Sequence, residues 1–360
     1  MIPIAKPIIE EEEIKAVVEV LRTGNLAGGV KVKKFEEKFA EYCGTEYAVA
    51  TNSGTSALHT ALLACGIHEN EEVIIPDFSF VATGTSVLMC GARPVFADIN
   101  SDTYNIDYEG IEELITERTK AIIGVHLFGN PCEINRLKKI ADENNLLLIE
   151  DAAQAHGAKY YRKKTGSLGD AGCFSFYATK NMNTGEGGMI TTSNCEIYEN
   201  AKKLINHGQS SKYTHEILGY NYRMTDIAAA IGIEQLKKID CFNEARRKNA
   251  DYYNNNINSK GIIKPYSDSN LEHVYHQYAI RITEDFPLLR DEMMEHLKKR
   301  GISTAVHYPA SISSQPLFRD FSADTPVSKK VSKEILSLPV HPSVTEKELK
   351  HICESINEVI

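Results

Sequence analysis

No stretch of the 360-residue chain approaches the ~18 consecutive apolar residues of a membrane-crossing helix. The best runs, Ala121–Val125 and Leu146–Ile149, are strand-sized, so a soluble protein is expected. Residues 10–13 are four successive glutamates where a leader would carry basic and then apolar residues. Neither a secretory nor a mitochondrial leader is read there, and the cytoplasm is the expected compartment. Cys-x-x-Cys is missing as well. The eight cysteines are spread so widely that neither a zinc knuckle nor a dense disulfide framework fits, and no metal is expected. Cys90 and Cys173 sit among apolar neighbours, where a reduced cysteine behaves as a small hydrophobe. Basic excess is also lacking: 40 Lys and Arg stand against 49 Asp and Glu, a net charge of −9. Without a basic stripe carrying interleaved aromatics, a nucleic-acid groove is not expected.

What is present is ordinary globular material, 42% hydrophobic and 25% charged, long enough for about two domains. From about Phe35 to Asn194, short β-rich runs alternate with helical patterns, the signature of an α/β domain around a mostly parallel sheet. Seven strands are expected: Tyr47–Ala50, Glu72–Ile75, Pro94–Ala97, Ala121–His126, Leu146–Ile149, Gly172–Phe176 and Met189–Thr192. Helices are expected at Thr55–Cys65, Ser79–Cys90, Glu133–Glu143 and Glu196–Asn206, with a long one over Thr225–Tyr253. The remainder reads as a smaller α+β domain with strands Tyr275–Ile282 and Ile302–Val306, helix Pro287–Arg300 and a closing helix from Thr345. The expected division is residues 1–240 and 241–360, with the N-terminal segment free to pack on the small domain. Sheets of this kind bind ligands at the carboxyl ends of their strands, so function is sought just after them.

Three segments there carry chemistry. Thr51-Asn52-Ser53-Gly54-Thr55-Ser56 joins a strand to an apolar helix; its glycine, its hydroxyls and the unpaired first N–H groups of the helix suit a phosphate, although Ser53 or Thr55 also serves as an ordinary N-cap. Glu150-Asp151-Ala152-Ala153-Gln154 follows a fully apolar strand. A carboxylate at that depth demands a cation or strong donors, either a ligand or a structural arginine, and Gln154 falls one turn further on. Phe174-Ser175-Phe176-Tyr177-Ala178-Thr179-Lys180 leads into the glycine-rich Gly185-Glu186-Gly187-Gly188. A lysine so placed suits an amine that forms Schiff bases with aldehydes, and Ser175 adds a hydroxyl. Together these match one molecule, pyridoxal 5′-phosphate: Gly54, Thr55 and Ser175 for the phosphate, Asp151 for the pyridinium, Gln154 for the phenolic oxygen and Lys180 for the aldehyde.

With these residues the chain resembles the DegT/DnrJ/EryC1/StrS family of pyridoxal-phosphate-dependent sugar aminotransferases over almost its whole length. The likeness extends through Ser53–His59, Pro76–Thr83, His126–Gly129, Glu150–Gly157, Phe174–Gly188, Leu218–Met224, His307-Tyr308-Pro309 and Leu336–Pro339. It implies the aspartate-aminotransferase fold (fold type I), and transfer of an amino group from L-glutamate to a nucleotide-linked 4-keto or 3-keto-6-deoxyhexose. By the same resemblance Lys180 is the cofactor lysine and proton carrier, Asp151 the acid on the pyridine nitrogen, and Phe80 an aromatic stacked on the ring. Asn221 reaches the phosphate from the neighbouring subunit of a homodimer with shared sites. Arg223 is an anchor for a carboxylate or diphosphate, and His307 and Tyr308 border the substrate. His156 is left open between flanking the cofactor and filling a core position, and Glu186 between orienting its loop and reacting. Departures at Gly28-Gly29-Val30, Asn130 and Ala310–Gln315 fall on the substrate side. Of the alternatives, related dehydratases carry histidine at the position of Lys180, a keto-cyclitol such as scyllo-inosose remains as an acceptor, and a non-catalytic regulator conflicts with the intact set Asp151, Gln154, Ser175 and Lys180.

Overall fold

The computed structural model describes residues 1–266 and 268–359. Seven strands build one sheet: β1 (Tyr47–Thr51), β2 (Glu72–Pro76), β3 (Arg93–Ala97), β4 (Thr119–Val125), β5 (Leu147–Asp151), β6 (Ala171–Ser175) and β7 (Gly188–Thr192). Their order across the sheet is β1-β7-β6-β5-β4-β2-β3. Strands β2 to β6 are parallel, and β7 is antiparallel to both of its neighbours, so β1 points the same way as the rest. The expected seven-stranded, mostly parallel α/β sheet of fold type I is therefore present.

Its strands are apolar on both faces because helices cover both. Val73 and Ile75 of β2 join a core with Leu58 and Leu62, while Ile74 between them joins a different core with Ile122, Leu137 and Leu148. Alternate residues of an extended chain point to opposite faces, which is why one short run feeds two cores. The covering helices are α2 (Val30–Cys43), α3 (Gly54–Ala64), α4 (Ala82–Met89), α5 (Ile134–Glu143) and α6 (Cys195–Leu204), while α1 (Glu11–Thr23) packs on the long helix described next.

Helix α7 (Asp226–Asn256) runs unbroken through positions 240 and 241 toward a second, antiparallel sheet. That sheet has the order β8 (Ile262–Ile263), β9 (Tyr278–Ile282), β10 (Ile335–Leu338). With α8 (Arg290–Lys299), α9 (Pro326–Glu334) and α10 (Glu346–Asn357) nearby, it encloses a separate core of Tyr253, Tyr278, Ile280, Leu336 and Ile352, to which Ile2 adds its side chain. No helix among the described residues is long and apolar enough to cross a membrane.

Several elements differ from expectation: α1, α2, α9 and β10 lie outside the expected set, and α8 begins at Arg290, not Pro287. Residues 302–306 form no strand, because their amides are divided among three partners: Ile302 N–H goes to Leu297, Ser303 N–H to Ile2 and Ala305 N–H to Ser337. Strand β9 begins at Tyr278, not Tyr275, since Tyr275 has φ +44°, a left-handed conformation that cannot continue a strand. Helix α4 begins at Ala82, which leaves Ser79 and Phe80 outside the helix and on a cavity wall.

Candidate active site

Because β1, β2, β4, β5 and β6 point the same way, their carboxyl ends share one edge of the sheet, and a cavity of about 410 Å³ opens there. Gly54, Thr55, Phe80, Asp151, Gln154, Ser175, Lys180, His307 and Tyr308 all line it. Asn221 and Arg223 do not. Asn221 is exposed and pairs through its backbone with Asn206, and Arg223 donates from Nη1 to Asn206 Oδ1 at 2.7 Å.

One end of the cavity suits an anion. Ser53 caps α3 by accepting the Ser56 N–H at 3.1 Å, while the N–H groups of Gly54 and Thr55 find no acceptor among the described residues. A Cβ on residue 54 would stand 2.6 Å from the Ser175 Cβ. Glycine thus lets the helix terminus close onto the end of β6, bringing two open N–H groups beside a hydroxyl.

Asp151 ends β5 with only 5% of its surface exposed. Its Oδ2 accepts from Thr83 Oγ1 at 2.9 Å, itself hydrogen-bonded to Ser79, and its Oδ1 accepts from Ala153 N–H at 3.2 Å. Burial pushes the carboxyl up, opposed by Thr83, by the Ala153 amide and by the positive Lys180. Lys180 is half-buried, and desolvation brings its amine down to about 8 while Asp151 pulls the other way. Among the described residues the two make no ion pair with each other, so acid and amine face one cavity with space between them.

Gln154 is fixed at both ends of its amide: Oε1 accepts the Phe128 N–H at 2.8 Å and Nε2 donates to Tyr308 Oη at 2.9 Å. Phe128 adopts φ +58°, which turns its amide toward the glutamine. Tyr308 packs at 6.0 Å between ring centroids from Phe80, whose ring is 52% exposed and open to the cavity. His307 hydrogen-bonds Ser337 through Nδ1 at 3.0 Å; burial and then the charge of Lys180 bring it down to about 4, so it is neutral at pH 7.

Sequence reading missed several contributors. Thr83 lay inside a quoted motif, yet only the fold sets it against Asp151. His276 and Gln277 line the cavity from the approach to β9. Asp77 accepts from the Ser313 N–H at 2.6 Å and from the hydroxyls of Ser313 and Thr325, which ties residues 311–325 to the end of β2. His156 does not line the cavity: it is fully buried between Phe174 and Phe176, neither ring nitrogen meets hydrogen-bond geometry with a partner among the described residues, and burial brings it down to about 3. Glu186 is exposed at the cavity wall. Glu150 faces away, into the fold, accepting N–H groups from Gly166, Leu168 and Gly169 at 2.7–2.8 Å. It also meets His126 Nε2 at 2.9 Å; because His126 Nδ1 receives the Cys132 N–H, the ring proton lies on Nε2.

Two unpaired helix N–H groups, a buried acid short of a cation, and an amine free of partners among the described residues fit the phosphate, ring nitrogen and aldehyde of pyridoxal phosphate. The sequence matches the model of the DegT/DnrJ/EryC1/StrS aminotransferase family over residues 7–357. It is 38% identical to a GDP-perosamine synthase of Caulobacter vibrioides, across 100% of this chain and 98% of that protein. It is 37% identical to dTDP-3-amino-3,6-dideoxy-alpha-D-galactopyranose transaminase of Aneurinibacillus thermoaerophilus, across 97% and 95%. The crystal structure of DesV from S. venezuelae superposes with a TM-score of 0.92 at 34% identity, covering 96% of this chain and 94% of that one.

Proposed function

Because the chain belongs to the DegT/DnrJ/EryC1/StrS aminotransferase family, we propose that it moves an amino group from L-glutamate to a nucleotide-linked 3-keto or 4-keto deoxyhexose in the cytoplasm. It is a pyridoxal-phosphate-dependent aminotransferase. When bound, pyridoxal phosphate supplies a reactive aldehyde and an electron-withdrawing ring that makes a proton on the donor carbon removable.

The side chains divide that work as follows. The Gly54 and Thr55 amides and Ser175 Oγ bind the phosphate. Asp151 keeps a proton on the ring nitrogen, and that cationic partner relieves the cost of its own burial. Phe80 lays its open ring face against the heterocycle. Gln154, with one N–H committed to Tyr308, turns the other to the phenolic oxygen. Lys180 Nζ would carry the proton removed from the donor's α-carbon to the C4′ carbon of the cofactor, and the reverse with the keto sugar, a task suited to an amine brought down to about 8. Neutral His307 and Tyr308 border the sugar.

Among the described residues no arginine lines this cavity, although glutamate and a nucleotide diphosphate both call for fixed cations. Asn221 and Arg223 lie on the same edge of the sheet, near Asn52 and Thr51, but outside their own chain's cavity. In a homodimer with shared sites they serve the neighbouring subunit, while the small domain, beginning near residue 241, carries His307 and Tyr308.

The juxtaposition of Asp151, Lys180 and the open α3 amides in one cavity carries this reading. Lys180→Ala is expected to abolish transamination, tested with glutamate and a panel of nucleotide keto sugars, the new nitrogen located by NMR. Near-normal turnover of glutamate by that variant would overturn the assignment. Mixing Lys180→Ala with Arg223→Ala subunits is expected to restore activity through hybrid dimers; an inactive mixture that demonstrably exchanges subunits refutes the shared site.

A further inference from the structure

Behind the turn that carries Lys180 lies a second cavity of about 20 Å³, bounded by helix α7 and by the N-terminal arm at Lys6. Arg246, only 6% exposed, lines it. Its Nη1 donates to the carbonyls of Tyr275 and His276 at 3.2 and 3.3 Å, but Nε has no partner and no carboxylate pairs with the guanidinium among the described residues. Arginine stays charged at neutral pH even with burial bringing it down to about 10, so this is a buried cation without a counter-charge.

The rest of the wall makes the imbalance worse. Lys6 and Lys180 add further positive charge, and no Asp or Glu lines the space among the described residues. The nearby amides are already used: Asn181 Nδ2 bonds Asn243 and Val274, and Gln235 Nε2 bonds Ile8 and Glu13. Glu13, the acid that approaches through Gln235, is itself paired with Lys238 at 3.0 Å. The unfilled charged donors are therefore those of Arg246, Lys6 and Lys180, the last shared with the reaction cavity. A space of this size holds one water-sized particle and is too small for a phosphate or an amino acid.

We propose that this cavity binds a single monatomic anion of the halide class, held between Arg246 and Lys6. Residues 178–181 form its opposite wall, so the ion joins α7 and the N-terminal arm to the turn that positions Lys180. The site is separate from the reaction cavity, although Thr179 and Lys180 contribute to both.

Crystals of the full chain grown with sodium bromide in place of chloride test this directly. One anomalous peak within hydrogen-bonding reach of Arg246 Nε is expected; an ordinary water there, with no anomalous signal, overturns the proposal. In solution, the unfolding midpoint of the holoenzyme is expected to be higher in chloride than in gluconate at equal ionic strength, and the difference to shrink in Lys6→Met, an exposed position whose replacement leaves the cores untouched. A midpoint indifferent to the anion, or a chloride effect that persists in full in Lys6→Met, refutes the site.

Discussion

The protonation of Lys180 can be measured without any substrate, by trace acylation of cofactor-free protein across pH with the labelled peptide quantified by mass spectrometry. Desolvation brings this amine from the ordinary 10.5 down to about 8. At pH 7 an amine at about 8 is roughly 9% neutral and one at 10.5 about 0.03%, a difference of about 300-fold in the nucleophilic form. The labelling curve for Lys180 should therefore have its midpoint near 8, while exposed lysines titrate well above it. The structure also fixes the sign of a second change. The one interaction that raises this amine is the negative charge of Asp151, so Asp151→Asn should move the midpoint further down. A wild-type midpoint near 10.5, or an upward move in Asp151→Asn, would refute both the burial of the amine and its coupling to the acid.

Thr83→Val removes the hydrogen bond that lowers the Asp151 carboxyl, so the carboxyl should rise further and kcat should fall by about 10- to 150-fold, the equivalent of ~1.5–3 kcal/mol for a bond to a charged group; steady-state rates across pH give the answer, and the acid limb of the profile should move up. Gly54→Ala places a methyl 2.6 Å from the Ser175 Cβ and should weaken pyridoxal phosphate binding at least about tenfold, or ~1.4 kcal/mol, in a spectral titration. Glu150→Gln leaves buried donors unmatched around Gly166 to Gly169 and should lower stability by at least about 3 kcal/mol in urea unfolding, with cofactor affinity changed far less because Glu150 points away from the cavity.

Much of the site was legible in the sequence because its residues cluster at strand ends, where an apolar run stops and a polar one begins. Asp151 follows Leu148 and Ile149, and Ser175 and Lys180 follow Phe174, so each could be placed on one edge of a parallel sheet from local pattern alone. The cofactor follows from those local groups and from the family resemblance. The contributors that escaped notice come from elsewhere in the chain. Thr83 meets Asp151 across 68 positions; Tyr308 and Gln154 were both expected at the site, but the bond between them, across 154 positions, was not. Nothing in the neighbourhood of any of these residues announces its partner. The expected strand at 302–306 failed for a related reason: its residues suit a strand, but its amides are shared among three separate partners.

Local order, then, follows largely from sequence by itself: the seven strands, most of the helices that cover them though not α2, and the positions after strands where an acid, an amine and a glycine turn must fall. These depend on alternation of apolar residues and on turn chemistry, which act over a few positions. The tertiary structure alone decided that Asp151 lies beside Thr83, that Gln154 is pinned between Phe128 and Tyr308, that His156 is sealed between two phenylalanines, and that Arg246 is buried with no acid paired to it among the described residues. Each is a matter of desolvation and long-range packing, set by which segments the sheet and α7 bring together and not by the residues adjacent in the chain.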